Sequence, residues 1–236
     1  MNAIYDTAVN AELMTGMRLA RQAIARGHLV VIPTDTVYGV AADAFNPEAV
    51  TRLLAAKGRD RQVPPPVLIP SIATLDALAS SVPDAVRELA VAFWPGGLTI
   101  ILDAQPSLAW DLGETRGTVA LRVPNHPVAL ELLAETGPLA VSSANLTGQP
   151  AATTATNAVE QLGETVAVYL DGGVGGDEPS TIIDATGLAR GTGGIRILRE
   201  GIISAAQIRE VVGDLLEPAT EILEAKAKES PADSEA

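Results

Sequence analysis

Short apolar runs bounded by turn residues alternate with segments of helical period along most of this chain, and that alternation restricts the fold to the α/β class. Leu29–Ile32 is the clearest run, a buried strand stopped by Pro33. Ahead of it, residues 11–26 carry Leu13, Met14, Met17, Leu19, Ala20 and Ile24 at mainly helical spacing, with Gly27 where a helix terminator belongs. Asn46-Pro47-Glu48 opens a second helix with a cap, a proline at the first helical position and an acid in the first turn. Run to about Ala56, that helix puts Lys57-Gly58-Arg59 at its C-terminal end. The same reading predicts strands at 67–70, 98–102, 118–123, 138–141, 166–170, 180–184 and 195–199. Helices are predicted near 72–79, 84–93, 127–135, 154–162 and 204–212. Some strands follow one another with no helix between, so a mixed sheet is expected rather than a regular doubly wound one. No internal repeat is visible. A single domain is expected over 1–213; from about Asp214 the composition shifts to Ala, Glu, Lys, Ser and Pro, and 214–236 reads as an acidic, frayed or disordered tail.

Composition narrows the function. Apolar residues make up 47% of the 236, enough for a sizeable core, while aromatics at 3% are too few for a wall of stacking rings. The net charge is −13, so the body has no general attraction for nucleic acid or anionic membrane, and any anion must be held by a local cluster of cations. Cysteine is absent, which excludes disulfides, thiol nucleophiles and thiolate metal sites. Two histidines, His28 and His126, do not make a histidine-rich metal centre. Apolar runs such as Leu89–Trp94 are far short of the ~20 residues of a membrane span. Asp6, Glu12, Arg18 and Arg21 interrupt the N-terminus, so no signal-peptide core is seen and a soluble, cytoplasmic protein is expected.

Four polar segments fall near predicted strand ends, the usual place for sites in α/β folds. Pro33-Thr34-Asp35-Thr36-Val37-Tyr38-Gly39 offers hydroxyls, a carboxylate and a phenol to a small polar ligand, or else satisfies its own backbone as a loop. In Lys57-Gly58-Arg59, with Arg61 behind, Lys57 is the only lysine of the first 225 residues, against 13 arginines. A compact ammonium beside a guanidinium suits a triphosphate, although cations also complement a helix C-terminus. Ser142-Ser143-Ala144-Asn145-Leu146-Thr147-Gly148 follows the apolar Leu139-Ala140-Val141, and serves either a ligand or ordinary turn chemistry. Asp171-Gly172-Gly173-Val174-Gly175-Gly176 matches neither GxxxxGK[ST] nor GxGxxG leading into a helix, and reads as a flexible connection. Arg122 ends an otherwise apolar strand, as a ligand clamp or a strand-edge charge. His126 reads as a cap or surface residue, Trp94 as core, and Ser143 has no His–Asp pair for a hydrolase triad.

Taken together, VIPTDTVYGVAADA (31–44), KGR (57–59), WPGGLTIIL (94–102), VALRVPNHP (119–127), SSANLTGQP (142–150), PSTIID (179–184) and ILREG (197–201) resemble, in this order, the YrdC-type threonylcarbamoyl-adenylate synthases. The resemblance covers about 20–213 and rests on the ordered set rather than on one motif. It implies a single α/β domain, a twisted mixed sheet flanked by helices around a concave, locally positive cavity. The implied reaction condenses L-threonine, bicarbonate or CO2, and ATP, with Mg2+ expected, into threonylcarbamoyl-adenylate and pyrophosphate. That product serves the t6A modification at position 37 of tRNAs reading codons that begin with A. Thr36, Arg122, Ser143 and Ser180 match threonine contacts. Lys57 and Arg59 match the KxR motif at the triphosphate and are the residues expected to carry catalysis. Thr118, Asn145, Thr153 and Arg199 match further nucleotide contacts. The pattern departs at 60–69, where Val63 and Leu68 replace the usual Asn and His and Pro64-Pro65-Pro66 stiffens the segment. Residues 214–236 are too short for the second domain of the long form, so the short form is expected.

The resemblance implies adenylation by in-line displacement at the α-phosphate, which needs positioning and charge stabilisation rather than a nucleophile, and no general base is assigned. Proteins of the t6A transferase complex are the expected partners, without tight direct binding of nucleic acid. An RNA-binding or ribosome-maturation module is the alternative, opposed by the charge and the scarcity of aromatics. A carbamoyl-transfer module like that of hydrogenase-maturation carbamoyltransferases is opposed by the short, cysteine-free chain.

Overall fold

The structure is a computed structural model and describes residues 3–218. Its elements in chain order are β1 (Ile4–Asp6), α1 (Asn10–Ala25), β2 (Leu29–Ile32), β3 (Gly39–Asp43), α2 (Pro47–Lys57), β4 (Val67–Leu68), α3 (Leu75–Leu78), α4 (Asp84–Phe93), β5 (Leu98–Asp103), β6 (Thr118–Arg122), α5 (Pro127–Thr136), β7 (Leu139–Ser143), α6 (Ala155–Leu162), β8 (Val166–Asp171), β9 (Thr181–Asp184), α7 (Thr186–Arg190), β10 (Arg196–Arg199) and α8 (Ala205–Val212). The strands form one sheet in the order β1-β8-β2-β3-β7-β4-β6-β5-β9-β10. Parallel pairs (β1/β8, β2/β8, β4/β6, β5/β9) are interspersed with antiparallel ones such as β2/β3, β3/β7 and β5/β6, so the sheet is mixed as expected.

Strand periodicity sends alternate residues to opposite faces. On β2, Leu29 and Val31 join one apolar cluster, Val30 and Ile32 the other. The smaller cluster packs Met17 and Ile24 of α1 and Val128 and Leu132 of α5 against strands β8, β2, β3 and β7. The larger takes Leu53 of α2, Leu89 of α4, Ala158 of α6 and Ile208 of α8, together with Leu98, Ile100 and Leu102 of β5 and Val119 and Leu121 of β6. On the side where α1 and α5 pack, the β4-β6-β5-β9 part of the sheet gives only Leu68 to the smaller cluster. Its intervening positions, Thr99, Arg122 and Ile182, line a cavity instead.

Local chemistry sets the element ends. Asn46 Oδ1 accepts from the backbone N–H groups of Glu48 and Ala49, and Gly58 terminates α2 in the left-handed conformation at φ +63. Ser204 and Gln207 form a reciprocal capping box on α8. Several elements differ from expectation. β3 is built of Gly, Val, Ala, Ala and Asp, of which only Val is a good strand former, and it is held in place by β2 and β7 on either side. Gly39 is required there, since a Cβ would stand 2.6 Å from Val141 Cγ1. The three-residue β1 and the short α7 carry no periodic signal. The helix expected at 72–79 is a 3-10 turn, Ile72–Thr74, followed by α3. Packing also passes the expected boundary at 213: Leu216 is buried and bridges Ile195, and Glu217 N donates to Ile195 O at 2.8 Å. The remainder of the expected tail, 219–236, lies outside the described residues.

Candidate functional site

The cavity, of about 450 Å³, opens between the β2–β3 turn, the C-terminal end of β7, the loop after α2, and the ends of β6, β9 and β10. Among the described residues three arginines, Arg59, Arg122 and Arg199, line it, and no carboxylate does. Each is aimed by a different local device.

Arg122 sits on β6 one step past Leu121, which faces the larger cluster, so its side chain turns to the cavity face. Its Nε donates to Gly96 O at 2.9 Å, Nη1 to Thr36 Oγ1 at 3.0 Å and Nη2 to Asp35 Oδ1 at 2.7 Å. Three of the five guanidinium N–H groups are thus committed to protein, which leaves two for a ligand. Burial pushes its pKa down, and Asp35 opposes that shift. Asp35 Oδ1 also accepts from Asn125 N at 2.8 Å. In the same turn Thr34 satisfies its own backbone, its Oγ1 donating to Val37 O at 2.7 Å, as the loop reading expects.

Lys57 ends α2 and is 1% exposed. Its Nζ donates to Asn145 O, to Ser143 O at 2.5 Å and to Asn145 Oδ1 at 3.1 Å, and lies 3.4 Å from Ser143 Oγ. Burial, with the Arg59 guanidinium nearby, pulls this ammonium down to about 7. Lys57 therefore neither caps its own helix nor lines the cavity; it holds the turn that presents Ser143 and Asn145, which do. Gly58 redirects the chain so that Arg59 enters the cavity, with Nε donating to Thr147 Oγ1 and Nη1 to Ser142 Oγ, both at 3.2 Å. Ser142 and Ser143 are the last residues of β7, paired with Val40 and Gly39, rather than loop residues after it.

Arg199 owes its direction to a bulge. Ile197 pairs with Ile183 and Arg199 with Ile182, so Leu198 is the extra residue, and the bulge changes the alternation of side chains along β10. Arg199 Nε and Nη2 donate to Ser180 O at 3.1 and 2.7 Å, and Nη2 also to Ser180 Oγ at 3.1 Å. Burial first, then the nearby Arg122 and Arg59, push its pKa down.

The glycine loop 171–176 is fitted tightly against the segment 33–38, not a loose connection. Tyr38 OH donates to Gly173 O at 2.6 Å and accepts from Gly172 N at 2.9 Å, while Gly175 N donates to Thr153 O at 2.8 Å. A Cβ on Gly176 would stand 2.5 Å from Thr36 O.

Of the residues singled out from the sequence, Thr36, Arg59, Arg122, Ser143, Asn145, Ser180 and Arg199 meet in the cavity. Thr118 lines a smaller adjoining cavity of about 130 Å³ behind Pro64 and Pro66, its Oγ1 donating to Thr115 O at 2.8 Å. Thr153 lies behind the glycine loop, its Oγ1 donating to Asn157 Oδ1 at 3.4 Å. Val63 and Leu68, the departures from the family pattern, both line the main cavity, and Leu68 is in register with Arg122. His126 stands at the start of α5 without a side-chain capping bond. The carboxylate offered by the 33–39 segment, Asp35, is taken by Arg122 and Asn125, and Thr99 was not singled out. Thr99 is a polar residue inside an apolar strand, the signal that marked Arg122.

The molecule is thus an α/β protein with an arginine-lined ligand cavity on one face of a mixed sheet. The family model named Sua5_yciO_yrdC, described as "Telomere recombination", matches residues 22–201, and the chain belongs to that family. A Mycobacterium leprae protein is 50% identical over 214 residues, covering 90% of this chain and 95% of its own length. The Bacillus subtilis threonylcarbamoyl-AMP synthase is 38% identical over 214 residues, 88% of this chain and 60% of that protein. The crystal structure of Pyrococcus abyssi Sua5 complexed with L-threonine superposes with a TM-score of 0.79 at 32% identity, covering 94% of this chain and 64% of that one. No helix among the described residues is long and apolar enough to cross a membrane.

Proposed function

We propose that this protein is a threonylcarbamoyl-AMP synthase, which joins L-threonine, bicarbonate or CO2, and ATP into threonylcarbamoyl-adenylate and pyrophosphate for t6A modification of tRNA. The observation that carries this reading is the lining of the cavity: among the described residues, three arginines, several hydroxyls and amides and no carboxylate, in a chain of net charge −13. Such a lining suits a ligand set made of anions, here a triphosphate and an amino-acid carboxylate. The named activity of the Bacillus subtilis relative and the L-threonine in the Pyrococcus abyssi structure support the same choice.

In this reading the two free N–H groups of Arg122 take the threonine carboxylate, with Thr36, Ser180 and Ser143 beside it. Arg59 and Arg199 take phosphate oxygens, and Asn145, Thr118 and Thr153 border the nucleotide. Lys57 acts through Ser143 and Asn145 rather than by direct contact with phosphate. The threonine amine adds to CO2 and loses a proton, giving a carbamate. A carbamate oxygen then attacks the α-phosphorus as the bond to pyrophosphate breaks, and the arginines stabilise the negative charge that accumulates on the leaving group. Among the described residues the cavity lining offers Mg2+ no carboxylate, so these residues would not by themselves form a site for it.

The deciding experiment measures pyrophosphate release with threonine and bicarbonate each omitted in turn. Release only when both are present is expected; release indifferent to threonine would sink the proposal. Handover of the intermediate to proteins of a t6A transferase complex belongs to the same reading.

A further inference from the structure

We infer that Thr99 is a positioning residue for the amino-acid substrate, turning the Ser180 hydroxyl so that its proton points into the cavity toward a carboxylate oxygen. The inference rests on the proposed reading of the cavity as a threonine and nucleotide site.

Thr99 is 1% exposed on β5, between Leu98 and Ile100, whose side chains enter the larger cluster on the opposite face. A buried hydroxyl there needs a partner, and the partner is Ser180 Oγ at 3.0 Å. The β5/β6 register pairs Ile100 with Leu121, so one further step sets Thr99 opposite Arg122. On its other side β9 pairs Ile182 with Thr99. Arg122, Thr99 and Ser180 therefore come from adjacent strands or their ends, and all line the cavity.

The 3.0 Å separation allows either hydroxyl to donate, and hydroxyl bookkeeping favours one direction. Each hydroxyl has one proton and two lone pairs. Ser180 Oγ already accepts from Arg199 Nη2 at 3.1 Å. When Thr99 donates to the second lone pair, Ser180 has no acceptor capacity left, and its own proton is free for a ligand. The opposite arrangement, with Ser180 donating to Thr99, leaves the Thr99 proton without an acceptor among the described residues at a hydroxyl that is 1% exposed. The favoured arrangement makes Ser180 a pure donor in a cavity lined by the Arg122 and Arg199 guanidinium groups, which selects an anionic oxygen. Valine at position 99 keeps the shape but removes the donated proton, so Ser180 is no longer constrained to donate.

The test is titration calorimetry of L-threonine and, separately, of ATP with the wild type, Thr99→Val and Thr99→Ser. L-threonine is expected to bind Thr99→Val about tenfold more weakly, with ATP affinity unchanged and Thr99→Ser close to wild type. Wild-type threonine affinity in Thr99→Val overturns the inference, as does a Thr99→Ser variant as weak as Thr99→Val. Equal losses for threonine and ATP would show a merely structural role and overturn it too. Thr99→Ala, which removes the same proton, replaces Thr99→Val if that variant does not fold. A wild type that binds no threonine strikes instead at the reading of the cavity.

Discussion

The Arg122 guanidinium donates to the Asp35 carboxylate at 2.7 Å, and the two side chains are only 8% and 16% exposed. Removing one member of such a pair leaves an uncompensated charge in a poorly solvated place. Asp35→Ala should therefore lose about 3 kcal/mol of stability in urea unfolding. Asp35→Asn, which can still accept from Arg122 and Asn125, should lose clearly less. Equal losses in the two variants would show that charge, rather than the hydrogen bonds, holds Arg122.

Lys57 provides a second test. Its Nζ fits among oxygens of Ser143 and Asn145, where a bulkier, planar guanidinium cannot. Both Lys57→Ala and Lys57→Arg should lose on the order of 100-fold in pyrophosphate release, because displacement of the 143–145 turn misplaces groups at the reacting phosphate. Circular dichroism should show the fold retained. Near-normal turnover in Lys57→Arg would reduce the residue to a generic cation.

The same ammonium gives a pH signature. Burial, with the Arg59 guanidinium nearby, lowers its folded-state pKa from the ordinary 10.5 to about 7. Between these values the unfolded chain keeps a proton that the folded chain has lost, so stability rises with pH across that window. Below about 7 the burial penalty on the charged form is complete. Urea unfolding of wild type and Lys57→Met at pH 6, 8 and 9.5 should thus show the wild type gaining on the variant as pH rises. Parallel profiles would contradict this.

Gly176 packs against the turn that carries Thr36. Gly176→Ala would bring a methyl group to 2.5 Å from Thr36 O, so the turn must shift. The KM for threonine should rise roughly tenfold or more. Gly173→Ala is the control: its site at φ +82 is strained but open, so stability should fall without a comparable change in KM. Steady-state kinetics on the two variants separates these outcomes.

Much of this was legible in the residues, and the gaps have physical causes. Leu29–Ile32 reads as a strand because both faces of β2 are buried, which makes an unbroken apolar run. β3 is not legible, because its alanines and glycine are chosen by close packing between β2 and β7 rather than by strand propensity. Arg122 is conspicuous as a charge in an apolar strand, while Thr99 escapes notice because threonine is itself a good strand former. For Lys57 the position was legible but the destination was not: its oxygen partners lie 86 and 88 residues away, a pairing that only the folded chain creates. The glycine loop matches no phosphate motif, and its glycines answer instead to Pro33, Thr36 and Tyr38, remote in sequence.

The arginine-rich lining has a kinetic consequence. A nucleotide approaching from solution first meets a chain of net charge −13 and is repelled at long range; only inside the mouth does it feel the arginines. Added salt shortens the reach of electrostatic forces from about 30 Å at 0.01 M to about 10 Å at 0.1 M, which weakens the distant repulsion more than the close attraction. Capture of ATP should therefore quicken with moderate salt, the reverse of an enzyme whose whole surface steers its anionic substrate inward.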